Sequence, residues 1–170
     1  MPNLVLTVVG DDRAGLVKAL AEQVSKYGGN WEHSQLAELA GTFAGVVEVS
    51  VPEARVADLT AALRALSGLL TITAHPGHEP ADAEPARELI LTVLGNDHPG
   101  IVRDVSAALS SHQLSIDTMS TRTWEAPMAG GRLFEATVVA RVPATADLHA
   151  LRRDLEELAA EIQVDINLAD

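Results

Sequence analysis

The sequence contains no cysteine and few aromatic residues. Without cysteine, disulfides, thiol catalysis, iron–sulfur clusters and cysteine-based zinc sites are excluded. Aromatic residues make up 3% of the chain and hydrophobic residues 47%, so we expect a packed core built from Leu, Val, Ile and Ala. No apolar run approaches the roughly 18–20 residues of a membrane-spanning helix. The apolar stretch 4–9 is too short for a signal peptide and has no basic residues before it, which predicts a cytoplasmic protein.

Basic charge is also scarce. The chain has 24 acidic and 12 basic residues and a formal net charge of -12. Acidic residues outnumber basic ones in each of the stretches 1–75, 76–87 and 88–170. Because nucleic-acid affinity comes largely from Lys and Arg neutralising phosphates, the sequence predicts no direct binding of DNA or RNA. An anionic membrane surface is disfavoured for the same reason.

The sequence is instead rich in internal repetition. The stretch LVLTVVGDDRAGLV (4–17) matches LILTVLGNDHPGIV (89–102) at eight of fourteen positions, with an offset of 85. Later positions match at offsets of 91 and 92, so the second copy holds six extra residues near WEAPMAGG (124–131). In the last helix of each copy one apolar stripe is preserved. Its members are Val56, Leu59, Leu63, Leu66 and Leu70 in the first copy, and Leu148, Leu151, Leu155, Leu158 and Ile162 in the second.

Each copy predicts the element order βαββαβ. The apolar runs 4–9 and 89–94 favour first strands, and one-faced apolar stripes predict two helices per copy. Alternation from Phe134 to Val142 predicts a strand with one buried face. We therefore predict an α+β fold of two ferredoxin-like units, each a four-stranded antiparallel sheet with two helices on one face. The predicted domains are 1–75 and 88–170, joined by a stiff proline-rich linker at 76–87.

The turn after each first strand is the main candidate for a binding site. Gly10 to Gly15 and Gly95 to Gly100 have phosphate-loop spacing, but the Lys and Ser/Thr of such a loop are missing. Gly10 and Gly95 predict a turn that can use positive φ, and Asp12 and Asp97 are predicted to cap the following helices. Backbone N–H groups there suit a carboxylate, and nearby acidic and amide side chains suit an ammonium group. The site is thus predicted to take a zwitterionic amino acid; the alternative is a plain capped turn.

The start of the second strand is the next candidate. Asn30 and Glu32 are predicted to lie close to the first turn and to complete its polar pocket. In the second copy, Ser115 and Asp117 are interpreted as an ordinary strand entry. His75-x-x-His78 with Glu79 has a metal-like spacing, but it lies in the proline-rich linker without a rigid scaffold. No metal, cofactor or catalytic residue is predicted, since no nucleophile elbow occurs either.

With these motifs in view, the chain resembles a known family. LILTVLGNDHPGIVRDVSAAL (89–109) resembles the opening of an ACT domain, with its D-x-P-G turn between strand and helix. The stretch 131–168 is similar to the second half of the two-ACT glycine cleavage system transcriptional repressor family. The resemblance implies amino-acid binding at interfaces between paired domains, and regulation through a partner transcription factor. It departs at Ala14, where the second copy has Pro99. The implied ligand-binding residues are Gly10, Asp11, Asp12, Asn30, Glu32, Asn96, Asp97 and His98.

Three functions follow as hypotheses. The first is an amino-acid-sensing regulator, a repressor that acts through a partner protein and binds glycine or a similar small amino acid. The second is a ligand-free protein-interaction module that docks through the open sheet faces or edges. The third is a small enzyme on a ferredoxin-like scaffold, such as an acylphosphatase; it is disfavoured because Arg13 of the first turn is His98 in the second. A homo-oligomer is compatible with each of them.

Overall fold

A computed structural model describes residues 1–78, 86–128, 130–158 and 163–168 of the chain. It divides into two compact units, Met1–Pro80 and Ala81–Asp170. The elements of unit 1 are β1 (Asn3–Asp11), α1 (Leu16–Lys26), β2 (Asn30–Leu39), β3 (Thr42–Ser50), α2 (Val56–Arg64) and β4 (Thr71–Pro76). Those of unit 2 are β5 (Ala86–Asn96), α3 (Ile101–Ser111), β6 (Ser115–Glu125), β7 (Arg132–Pro143), α4 (Leu148–Glu157) and β8 (Gln163–Leu168).

Both units have the predicted sheet. The strand order is β2-β3-β1-β4 in unit 1 and β6-β7-β5-β8 in unit 2, and every neighbouring pair is antiparallel. The two central strands of each sheet are therefore the first and third strands of the βαββαβ order. The α+β prediction of two repeated units is confirmed.

Each unit has an aliphatic core of its own between its sheet and its helices. In unit 1 the core joins Leu6 of β1 and Val49 of β3 to Leu20 of α1 and Leu59 of α2. The alternation predicted for the strand 134–142 is confirmed, since the residues of one face are all buried. They are Phe134, Ala136, Val138, Ala140 and Val142. Helix α2 is shorter than its apolar stripe: it ends at Arg64, so Leu66 and Leu70 reach the core from the loop that follows.

The described helices of each unit pack on one face of its sheet, and none of them covers the opposite face. Val9 and Val46 lie on this open face of unit 1, and each is 45% exposed. Ile90 lies on the corresponding face of unit 2 and is 37% exposed. The first strands are thus apolar on both sides, as the sequence indicates, but only one side is buried.

The proline-rich linker is only partly described. Pro76 is the last residue of β4, and Ala86 and Arg87 already belong to β5. Residues 79–85, including Glu79 of the predicted metal-like motif, lie outside the described residues. The exact extent of the linker therefore stays a prediction. Across the described ranges, no helix is both long and apolar enough to cross a membrane.

The first residues of α1 and α3 show that one sequence prediction was wrong. Asp12 and Asp97 do not cap α1 and α3; the N-cap residues are Gly15 and Gly100, with φ of 92° and 87°, and neither cap has a side-chain hydrogen bond. The prediction failed because three more residues follow each Asp before its helix begins. A side-chain cap does occur at α4, where Asp147 accepts hydrogen bonds from the backbone N–H groups of His149 and Ala150, both at 3.0 Å.

Candidate functional site

The first turn is shorter than the sequence indicates. Gly10 and Asp11 belong to β1, so the turn proper comprises residues 12–15. The backbone N–H of Asp12 donates to the carbonyl oxygen of Gly41 at 2.9 Å, which ties the turn to the β2–β3 hairpin. The guanidinium of Arg13 donates to the carbonyl oxygen of Gly68 at 3.2 Å. The turn is therefore held from two sides, and α1 begins directly after it.

Gly10 is required for a different reason from the one predicted. It is not among the glycines with positive φ, and it sits within a strand. A Cβ built on Gly10 would lie 2.5 Å from the carbonyl oxygen of Leu69. The glycine thus permits a close backbone approach between β1 and the loop before β4.

The second turn repeats this geometry with different side chains. Asn96 is the last residue of β5, and the N–H of Asp97 donates to the carbonyl oxygen of Arg132 at 2.8 Å. Nδ1 of His98 lies 3.1 Å from the carbonyl oxygen of Pro99. The guanidinium of Arg103, on the first turn of α3, folds back to within 3.0 Å of where a Cβ on Gly100 would stand. A guanidinium therefore lies beside each turn, from Arg13 in unit 1 and from Arg103 in unit 2.

Asn30 and Glu32 do not lie near the first turn. Asn30 pairs with Ser50, and Ser50 pairs with Asn3 at the beginning of β1, whereas Gly10 stands at its other end. Seven residues of strand at roughly 3.3 Å each separate the two places by roughly 23 Å. The prediction that these side chains complete the pocket of the turn in their own unit is wrong, because an antiparallel β2 starts at the far end of the sheet. Their part in ligand binding stays a prediction.

At that far end, Asn30, Glu32 and Ser50 form a polar group that we call the β2 corner. Glu32 accepts hydrogen bonds from the hydroxyl of Ser50 at 2.5 Å and from the amide of Asn30 at 3.1 Å. These two donors, that of Ser50 first, lower the pKa of Glu32 below its usual value. The pairing of β2 with β3 shifts by one residue between Trp31 and His33, so Glu32 is the bulged residue. Bulges of this kind re-aim side chains.

Unit 2 has the same bulge and a different partner. The pairing of β6 with β7 shifts between Ile116 and Thr118, so Asp117 is the bulged residue. Its carboxylate accepts from Nε of Arg141 at 2.9 and 3.2 Å. Ser115, Asp117 and Arg141, which we call the β6 corner, therefore contain an internal ion pair.

Two grooves of unit 1 lie beside Glu48, which is two residues before Ser50 on β3. One groove of about 510 Å³ is lined by residues that include Asn3, Val5 and Glu48. A second, of about 300 Å³, continues over Val5 and Glu48 to His33 and Val46 on the open sheet face. Oε1 of Glu48 accepts from the amide of Asn3 at 2.9 Å, and Oε2 lies 3.3 Å from Nδ1 of His33. Among the described residues, no group of three or more His, Asp or Glu side chains could hold a metal ion.

The two units share the same sheet topology, the same turn after the first strand and the same bulge in the second strand. They are therefore two copies of one kind of module. The ACT domain family matches residues 3–75 and again residues 87–169. The chain belongs to the ACT domain family.

Relatives of these two ACT units are known over nearly the whole chain. The glycine cleavage system transcriptional repressor of Escherichia coli (strain K12) is 26% identical over 98% of this chain and 90% of its own length. A crystal structure of an unknown protein from Galdieria sulphuraria is 27% identical and covers 99% of both chains, with a TM-score of 0.88. A structure ascribed to the glycine cleavage system transcriptional repressors has a TM-score of 0.70 at 20% identity and covers 99% of this chain and 98% of its own. The protein is thus a tandem ACT domain protein related to that repressor.

Three side chains at the turns and corners were not predicted from the sequence. Ser50 and Arg141 lie on third strands, about twenty residues or more from the corners that they complete, and only the strand register reveals them. Arg103 lies three residues beyond Gly100 on α3, so the one-turn period of a helix was a usable signal.

Proposed function

We propose that this protein is an amino-acid-sensing regulator that represses the glycine cleavage system through a partner protein. The observation that carries the proposal is the full-length relation to a glycine cleavage system transcriptional repressor, with an ACT unit in each half of the chain. The net charge of -12 supports action through a protein rather than by contact with DNA. The cytoplasmic location stays a prediction.

The candidate ligand groups divide into two places within each unit. The turns supply backbone N–H groups and a nearby guanidinium, which suit the carboxylate of an amino acid. The β2 corner supplies a carboxylate, which suits its ammonium group. A ligand at a turn cannot touch Asn30 and Glu32 of the same unit, because roughly 23 Å of strand separates them.

Thermal unfolding of the full chain against the twenty amino acids tests this proposal. A ligand at one hundred times its Kd stabilises the folded state by about 2.7 kcal/mol, so we expect a clear rise in Tm with glycine or a close analogue. Asp11→Ala with Asn96→Ala, at the ends of β1 and β5, should reduce the shift if the turns take part. No shift with any amino acid would refute sensing.

A ligand-free interaction module is the second candidate. The exposed valines Val9 and Val46 favour it, since they put apolar surface on an open sheet face. The interaction module would be favoured if no amino acid changed the Tm and the partner bound the purified chain in the absence of any amino acid.

A further inference from the structure

Unit 2 has a groove of about 410 Å³ between its last helix and its last strand, which we call the α4–β8 groove. Leu148, His149 and Arg152 of α4 line it together with Ile166 of β8. The lining therefore combines two apolar side chains with a guanidinium and an imidazole. None of these residues belongs to the turns or corners described above.

The basic side chains of this groove are available to another molecule. Four guanidinium groups in the described part of unit 2 form ion pairs; they belong to Arg103, Arg122, Arg132 and Arg141. Arg152 has neither a hydrogen bond nor an ion pair to any described residue. His149 lies near the carboxylate of Asp147, which faces Arg153 as well and already accepts two backbone hydrogen bonds. The groove thus offers a free cationic group within an acidic unit.

The corresponding groove of unit 1 lacks both basic side chains. By the offset of 92 that relates the last helices, Ala57 and Thr60 stand at the positions of His149 and Arg152. The groove between α2 and β4 is also smaller, about 140 Å³, and Arg64 is the charged residue that lines it. Unit 1 therefore forms the same helix and strand without the two basic residues, so the fold does not require them.

The α4–β8 groove adjoins an unpaired strand edge. β8 is the last strand in the order of its sheet, and among the described strands it pairs with β5 alone. Its sequence, Gln163–Leu168, contains neither Lys nor Pro, which commonly protect such an edge. An extended segment can add to an edge of this kind through main-chain hydrogen bonds, while its alternate side chains enter a neighbouring groove. Asp165 lies on the opposite face from Ile166, so that face disfavours a second acidic side chain.

We propose that the α4–β8 groove binds an extended acidic segment of a partner protein, which adds to the edge of β8. One carboxylate of the segment contacts Arg152 and His149, and apolar side chains two positions before and after it contact Leu148 and Ile166, because side chains two apart share a face of a strand. Complementary charge favours this occupant, since the groove offers basic groups and the surrounding unit is acidic. The inference goes beyond the proposed function: it assigns a surface that meets the partner, and it does not depend on amino-acid binding.

Nuclear magnetic resonance of the isotopically labelled full chain tests it, with the end-blocked peptide TVTETVT as the probe. The two Val and the Glu of this peptide share one face of an extended strand. We expect the peptide to shift the amide signals of Gln163–Leu168 and of the first turn of α4. The peptide TVTQTVT, which lacks the charge, should bind about 5-fold more weakly, as the loss of one exposed ion pair allows. A copy of TVTETVT with methylated backbone N–H groups should not bind, because it cannot add to a strand edge.

Variants of α4 identify the basic group. Arg152→Gln should weaken the binding of TVTETVT about 5-fold and leave that of TVTQTVT unchanged. Arg153→Gln is the matched control, since it removes the same charge from the next residue of α4, which does not line the groove; it should leave both Kd values unchanged. Both arginines are exposed, so both variants should fold. Equal Tm values confirm this.

The other outcomes each overturn the inference. If neither peptide binds, if the shifted signals lie outside α4 and β8, or if Arg153→Gln weakens binding as much as Arg152→Gln, the assignment to this groove is wrong. If acetate at the same concentration shifts the same signals equally, the occupant is a small anion. If sedimentation shows that the chain self-associates and that Arg152→Gln abolishes this, the occupant is a second copy of the chain. The Tm response to amino acids is measured separately, so the proposed function stands or falls on its own test.

Discussion

At the scale of single residues, Gly10 was correctly singled out from the sequence, but for the wrong reason. The sequence indicates a flexible turn, whereas the structure requires space for the carbonyl oxygen of Leu69. Gly10→Ala should destabilise the chain by about 1–3 kcal/mol, the usual cost of overpacking. Urea unfolding measures it, with Gly68→Ala as control, since a Cβ there meets nothing within 4 Å. Equal midpoints for the two variants would contradict the close approach.

Asp147 adds a prediction on pH. Hydrogen bonds from the backbone N–H groups of Ala150 and His149, that of Ala150 first, lower its pKa below the ordinary 3.8. Because the folded-state pKa lies below the unfolded one, its stabilisation is complete above pH 4 or so and is lost as the pH falls through the folded pKa. Asp147→Asn keeps a good cap but cannot ionise. We therefore compare the urea midpoint of the natural chain with that of this variant. The difference between the two midpoints should shift against the natural chain as the pH is lowered past about 4. A difference constant from pH 7 to pH 3 would contradict it.

At the scale of elements, the β2–β3 hairpin determines which side chains meet. Its loop is the pair Ala40 and Gly41, with φ of 51° and 81°, and Leu39 pairs with Thr42 across it. Two-residue loops with positive φ at both positions favour Asn-Gly, and Ala is strained there. Ala40→Asn should stabilise the chain by up to about 1 kcal/mol, whereas Gly41→Ala should destabilise it. Urea midpoints compare the two; a lower midpoint for Ala40→Asn would contradict the assigned turn.

The same hairpin explains what the sequence could predict of the site. Strands, helices and their order follow from apolar periodicity, which is strong here, for example from Phe134 to Val142. The contact between Glu32 and Ser50 does not follow from periodicity. If the strands paired regularly from the Ala40–Gly41 turn, Asn30 would lie opposite Val51. Only the bulge, which shifts the register by one residue, brings Asn30 opposite Ser50. A bulge depends on packing between strands, and no local pattern encodes it.

At the scale of the whole molecule, the repeat is conserved in its cores and altered at its corners. Leu6 and Leu91 are equivalent by the offset of 85, and both are fully buried. Ser50 and Arg141 are equivalent as well, and they give the two corners different charges. Repetition therefore predicts the same fold for both units, whereas the polar side chains at the two corners differ.

The net charge of the whole molecule leads to the last prediction. A surface with 24 acidic and 12 basic residues gains little by releasing counterions from DNA, which is the main source of affinity between proteins and the phosphate backbone. The purified chain should therefore not retard a DNA fragment from a glycine cleavage promoter, even at about 50 mM salt, where such contacts are strongest. With the partner protein added, retardation should appear or change. Retardation by the chain alone, weakening steeply with salt, would show that it contacts DNA itself and would refute repression solely through a partner.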